Sequence, residues 1–184
     1  MKELSLNILD ITENSVKAGA TLTEINLNET EDMLTVIIKD NGCGMSSETV
    51  AAVTNPFYTT RTTRDVGLGI PLFKLAAEQT GGKIEIISKV STPGDDSHGT
   101  SVYAYFCKSH IDFTPLGDII STITTLIFGH PEVDFLFVHT KCEKEVRLDT
   151  RELRAILEDV PLNNYEVIEW IRGNLEEQYT SFDF

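Results

Sequence analysis

Apolar side chains at Leu4, Ile8, Ile11 and Val16 recur near a 3.6-residue period and predict a helix over residues 3 to 18, with Gly19 as its stop. Thr23 to Asn28 and Met33 to Asp40 alternate or run apolar with β-branched residues, and the acidic Glu29-Thr30-Glu31-Asp32 between them reads as a turn. An antiparallel pair follows. A short helix is expected near Ser46 to Ala52, capped by Ser46 or Ser47. From Thr54 to Val66 the chain is polar and Thr/Arg-rich, without a core-forming pattern. Helical spacing resumes from Leu68 to Gln79 and ends at Gly81-Gly82. Two strands are expected at Lys83 to Lys89 and Thr100 to Phe106, joined by the STPGDDSHG loop. This order predicts an α+β two-layer sandwich, with helices on one face of a mixed or antiparallel sheet.

Beyond Ser109 the pattern changes. Leu116 to Phe128 reads as a helix, Asp134 to His139 and Glu145 to Leu148 as hairpin strands, and Asp149 to Leu157 and Asn164 to Tyr179 as helices. The expected organisation is therefore one domain over residues 1–108 and a small α+β unit over 109–184, whose role is packing or partner binding.

Composition supports a globular chain: 184 residues, 41% apolar and 24% charged. No run approaches a membrane span, and the polar start MKELSLNILDITEN does not suit a signal peptide. The three cysteines form no CxxC pair and no metal cluster with the four histidines, which points to a reducing cytoplasm. With 15 basic and 29 acidic side chains the net charge is −14, unfavourable for nucleic acid or an anionic bilayer. Residues up to Lys108 carry 9 basic and 14 acidic groups, and the remainder 6 and 15, so the later part is the more acidic. Either different partners or a solvated surface accounts for that asymmetry.

Three features could carry chemistry. On the first helix Asp10, Asn14 and Lys17 lie on one polar face, an acid, an amide and an ammonium that could meet a single phosphate-bearing ligand and its Mg²⁺. Alone, the same spacing describes a solvated helix face. Asp40-x-Gly42-x-Gly44 follows a strand directly, so a flat ligand could approach the backbone while Asp40 accepts a hydrogen bond from an exocyclic amine. An ordinary Asp-Gly turn fits too, whereas an EF-hand lacks its remaining oxygen ligands. Gly67-Leu68-Gly69 opens a helix whose amides favour phosphate, below a Thr59, Thr60, Arg61 stretch that could close over it or be plain surface. Neither a P-loop nor a full GxGxxG is present.

In combination, ENSVKAGA, DNGCGM, NPFYTTR, GLGIPL and HGTSVYAYF, in that order, resemble the GHKL or Bergerat-fold ATP-binding superfamily of gyrase, a heat-shock chaperone, histidine kinases and mismatch-repair ATPases. The resemblance covers about residues 3 to 107 and is most similar to histidine kinases at NPFYTTR. It implies ATP and Mg²⁺ as cofactors. Asn14 would ligate the metal, Asp10 would stand at the general-base position, Lys17 would contact phosphate and Asp40 would read adenine. Gly42 and Gly44 would admit the nucleotide, and Gly67, Leu68 and Gly69 would meet the phosphates. Thr100 would support adenine, and Phe57, Thr59, Thr60 and Arg61 would begin a lid.

Two departures shape the expected activity. Hydrolysing members usually carry glutamate where Asp10 stands, which predicts slow turnover. The nucleotide helix begins almost at Met1, and none of His98, His110, His130 or His139 sits in a helical acceptor context, so no phosphoacceptor domain of its own is expected. The resemblance implies a kinase or ATPase that transfers phosphoryl to a separate protein partner or hydrolyses ATP slowly. The alternatives are a non-catalytic ATP-gated regulatory module and an anti-sigma-type serine kinase.

Overall fold

The computed structural model describes residues 3–54, 69–94 and 97–182. In chain order the elements are α1 (Leu4–Lys17), β1 (Leu22–Glu29), β2 (Met33–Asp40), α2 (Ser47–Val53), α3 (Gly69–Gln79), β3 (Lys83–Lys89), β4 (Gly99–Cys107), α4 (Ile119–Gly129), β5 (Asp134–Lys141), β6 (Lys144–Asp149), α5 (Thr150–Leu157) and α6 (Tyr165–Phe182). The strands form one mixed sheet in the order β3-β4-β2-β1-β5-β6. All neighbouring pairs are antiparallel except β1 and β5, which run parallel with Ile25 opposite Phe137. The α+β sandwich expected from the sequence is the observed fold.

Strand alternation explains which face is covered. Ile25, Leu27, Val36, Ile38, Val102, Ala104, Phe106, Phe135 and Phe137 all point to the helical side and are buried. Leu4, Ile8 and Ile11 of α1 and Phe73 and Ala77 of α3 close over them. Ser46 caps α2 by accepting from the Thr49 N–H at 3.2 Å, as the sequence suggests.

The segment after residue 108 builds onto this same sheet. β5 lies beside β1, α4 packs on α1, and Ile123, Leu126, Phe135, Phe137 and Leu175 belong to one contiguous core with Leu4 and Ile25. Glu3, at the N-cap of α1, makes no side-chain capping bond. The helix's first donors are met instead from that segment: Leu4 N–H reaches Pro115 O at 2.9 Å and Ser5 N–H reaches Leu116 O at 2.8 Å. A polar chain adds a second tie. Lys108 Nζ lies 2.8 Å from Glu29 Oε2, Glu29 Oε1 lies 3.1 Å from His139 Nε2, and His139 Nδ1 lies 2.8 Å from the Tyr179 hydroxyl. An ionised carboxylate only accepts, so in the neutral ring the proton sits on Nε2 and Nδ1 takes the tyrosine hydroxyl.

Candidate functional site

At one end of the sheet the register aligns four polar residues on the helical face: Thr23 opposite Asp40, Asp40 opposite Thr100, and Thr100 opposite Ser88. Asp40 is 9% exposed and accepts three hydrogen bonds. Its Oδ1 takes the Gly42 N–H at 2.9 Å and the Thr100 N–H at 3.1 Å, and its Oδ2 takes the Ser15 hydroxyl at 2.7 Å. These bonds fix the carboxylate in orientation. Among the described residues Oδ2 accepts from Ser15 alone, so it retains capacity for one more donor, the property needed to recognise an amine edge. The Thr100 hydroxyl is held 2.8 Å from Ser88 Oγ, which also accepts from the Met45 N–H at 2.7 Å.

The loop after Asp40 explains its glycines. A Cβ on Gly42 would stand 2.9 Å from both the Cβ and the carbonyl oxygen of Ala18, because the loop lies on the end of α1, where the Cys43 N–H donates to Ala18 O at 2.9 Å. Gly44 has φ +69°, and its Cβ would run into the Lys89 carbonyl. His98 Nδ1 lies 2.6 Å from Gly42 O and braces the same loop from the other side.

The polar ridge of α1 is present as expected, with Asp10, Asn14 and Lys17 all exposed. The start of α3 comes close to it: a Cβ on Gly69 would be 3.3 Å from Asp10 Cβ and 3.6 Å from Asn14 Nδ2. Amides at the opening of a helix have no intrahelical acceptor, so α3 directs donors and the positive end of its dipole toward the ridge. Partial burial raises the Asp10 carboxyl above its ordinary range; the Lys17 charge opposes this and the Glu13 charge adds to it. Lys17 Nζ is 3.8 Å from Glu13 Oε2.

Asp40, Gly42, Gly44 and Thr100 therefore form one part of a candidate site, and Asp10, Asn14, Lys17 and Gly69 the other. Phe57, Thr59, Thr60, Arg61, Gly67 and Leu68 lie outside the described residues. Ser15 and His98 were not anticipated. Ser15 sits on the inward face of α1 four residues after Ile11, and a polar residue at a core-facing position was its signal in the helix pattern. A cleft of about 530 Å³ also touches Asp40 and Thr100. Its lining includes Glu24, Lys39, Ile87 and Ser101, which alternation puts on the uncovered face of the sheet, away from the ridge.

The Asn14 amide oxygen, a hard donor at the ridge, suits Mg²⁺, which takes few protein ligands. Among the described residues no three His, Cys, Asp or Glu side chains cluster to hold a metal. Nor is any helix among them long and apolar enough to cross a membrane.

Known proteins share the fold and the family pattern. Sensor protein SrrB of Staphylococcus aureus is 31% identical over 96 residues, covering 49% of this chain and 16% of that protein. This chain spans 12% to 17% of the length of the curated relatives it matches. Among solved structures, the N-terminal domain of a DNA repair protein aligns with a TM-score of 0.61 at 15% identity, over 81% of this chain and 53% of that one. The Aquifex aeolicus MutL ATPase domain complexed with ADP aligns with a TM-score of 0.53 at 15% identity, over 94% of this chain and 88% of that one. Both share the fold, and the second alignment reaches well past residue 110. The pattern of the histidine kinase-, DNA gyrase B- and HSP90-like ATPases matches residues 2–110, and the chain belongs to that family.

Proposed function

We propose that this protein binds Mg²⁺–ATP between α1, the loop after β2 and the start of α3, and passes the γ-phosphoryl to a separate protein or hydrolyses ATP slowly. The observation that carries the reading is Asp40: a buried carboxylate, oriented by Ser15, Gly42 and Thr100, that keeps one acceptor position for an exocyclic amine. Adenine offers such a donor and guanine presents a carbonyl there, so Asp40 discriminates between them. Asn14 presents its amide oxygen to the metal, which when bound neutralises charge on the phosphates. Lys17 and the first amides of α3 bind the phosphate chain from the ridge. Asp10, with its carboxyl raised by burial, is suited to accept a proton from the attacking hydroxyl or water.

Asp40→Asn tests the adenine end. Replacing an acceptor-only carboxylate by an amide misplaces a donor among three donors, and ATP affinity should fall by about 1 to 3 kcal/mol in calorimetric titration. Equal ATP affinity in the two proteins refutes the assignment. Single-turnover assays with labelled ATP and candidate partner proteins test the chemistry, and neither labelled protein nor released phosphate above background would remove it.

A second reading, a non-catalytic ATP-gated module, draws on a different observation. The segment after residue 108 packs directly on α1, so nucleotide at the ridge has a short route to the acidic surface. Partner capture in ATP, ADP and no nucleotide separates the readings, since equal binding in all three states excludes gating.

A further inference from the structure

The family pattern ends at residue 110, yet the ridge of α1 is held from beyond it. His130 closes α4, its N–H donating to Leu126 O at 3.0 Å, and its Nε2 lies 2.8 Å from Glu13 Oε1. The other oxygen of the same carboxylate faces Lys17 Nζ at 3.8 Å. The turn that carries the imidazole is set firmly in place. The Val133 N–H donates to His130 O at 3.0 Å, and Arg154 binds the Pro131 carbonyl, the Val133 carbonyl at 3.3 Å and the Asp134 carboxylate at 2.7 Å. The His130 side chain is 23% exposed and that of Glu13 32%, against 55% for Lys17. The second ring nitrogen is 3.9 Å from Glu132, a 70% exposed group that water screens.

We infer that His130 is a positioning residue for the phosphate end of the site, acting through Glu13 on Lys17. The inference rests on the nucleotide reading above. Glu13 and the phosphate chain are two anions competing for one ammonium. By occupying Oε1, His130 holds the carboxylate where Lys17 stays at 3.8 Å, well beyond the roughly 2.7–2.9 Å of a charge-assisted hydrogen bond, so the lysine remains available to phosphate. Without the ring, Glu13 closes on Lys17 and must be displaced before phosphate can bind. Asp40 meets α1 through Ser15 on the buried face of the helix, opposite the face that carries Glu13 and Lys17, so recognition of the base is untouched. The part of the chain outside the family pattern thereby sets how strongly the site prefers a triphosphate to the bare nucleoside.

The test is a comparison of Mg²⁺–ATP and adenosine affinities, by calorimetry, in wild type, His130→Ala, His130→Gln, Glu13→Gln and the Glu13→Gln/His130→Ala double variant. His130→Ala should weaken ATP by about three- to tenfold and leave adenosine unchanged. His130→Gln, whose amide can still donate to Glu13, should recover most of the loss. In the Glu13→Gln background the competing charge is gone, so adding His130→Ala should change nothing further. The assignment is overturned if His130→Ala binds ATP like wild type, if it weakens ATP and adenosine equally, or if the full loss persists with Gln at position 13. If wild type binds neither ligand, the nucleotide reading fails and this inference with it. If wild type binds both ligands and His130→Ala shows no selective weakening of ATP, the inference alone is refuted.

Discussion

At Gly44 two independent constraints meet: a left-handed backbone and a Lys89 carbonyl standing where a Cβ would go. Gly44→Ala should therefore lower stability by about 1–3 kcal/mol or more, through strain and displacement of β3, and thermal denaturation will read it. An unchanged melting temperature would show that the loop can move off β3 at no cost. The residues easiest to read from sequence were of this sort, where chemistry or backbone demands one residue type: Asp40, Gly42 and Gly44 after a strand, and Asp10, Asn14 and Lys17 at helical spacing. Ser15, Thr23 and His98 escaped notice because each gains its meaning from a neighbour distant in sequence. Ser15 matters only once β2 brings Asp40 within 2.7 Å. Thr23, fully buried and register-paired with Asp40, has a hydroxyl with no partner among the described residues.

At the level of elements, alternation, 3.6-residue spacing and capping located every helix and strand among the described residues, with ends shifted by a few residues. β5 shows why: Phe135, Phe137 and His139 alternate with half-exposed neighbours, a signal contained within the strand itself. Its pairing was not legible, because a parallel match to β1 leaves no local trace. The Lys108–Glu29–His139–Tyr179 chain is the polar seal on that pairing. The His139 hydrogen bond is the main force holding the Glu29 carboxyl down at about 2, against an ordinary 4.5, with burial opposing and Lys108 assisting. A depressed folded value stabilises above the unfolded one and is lost as pH falls through the folded one. The contribution, on the order of 3 kcal/mol, is thus complete above pH 4.5 and disappears toward pH 2. Melting curves across that window should show wild type losing an increment that Glu29→Gln, already without the pair, does not lose. Parallel curves would remove Glu29 as its source.

For the whole molecule, the boundary drawn by the family pattern is not a boundary of packing. A chain cut at residue 110 would forfeit Phe135, Phe137, Ile123 and Leu126 from the core, leave β1 as an open edge and strip α1 of the carbonyls of Pro115 and Leu116. Such a fragment should give no cooperative thermal transition and should bind a hydrophobic dye, and a sharp melt near that of the full chain would contradict this. Net charge matters at this scale as well. A molecule carrying −14 repels an anionic ligand at long range, so Lys17 and the opening amides of α3 must supply the local attraction at the ridge.

β1 pairs on one side with β2, which follows it at once, and on the other with β5, where Leu22 meets Asp134. Closing so long a span is slow, and apolar strand edges left waiting are prone to wrong partners. Synthesis therefore runs on a schedule: the binding motifs leave the ribosome early, but the first turn of the helix that carries Asn14 gains its carbonyl partners only when the segment beyond residue 110 arrives.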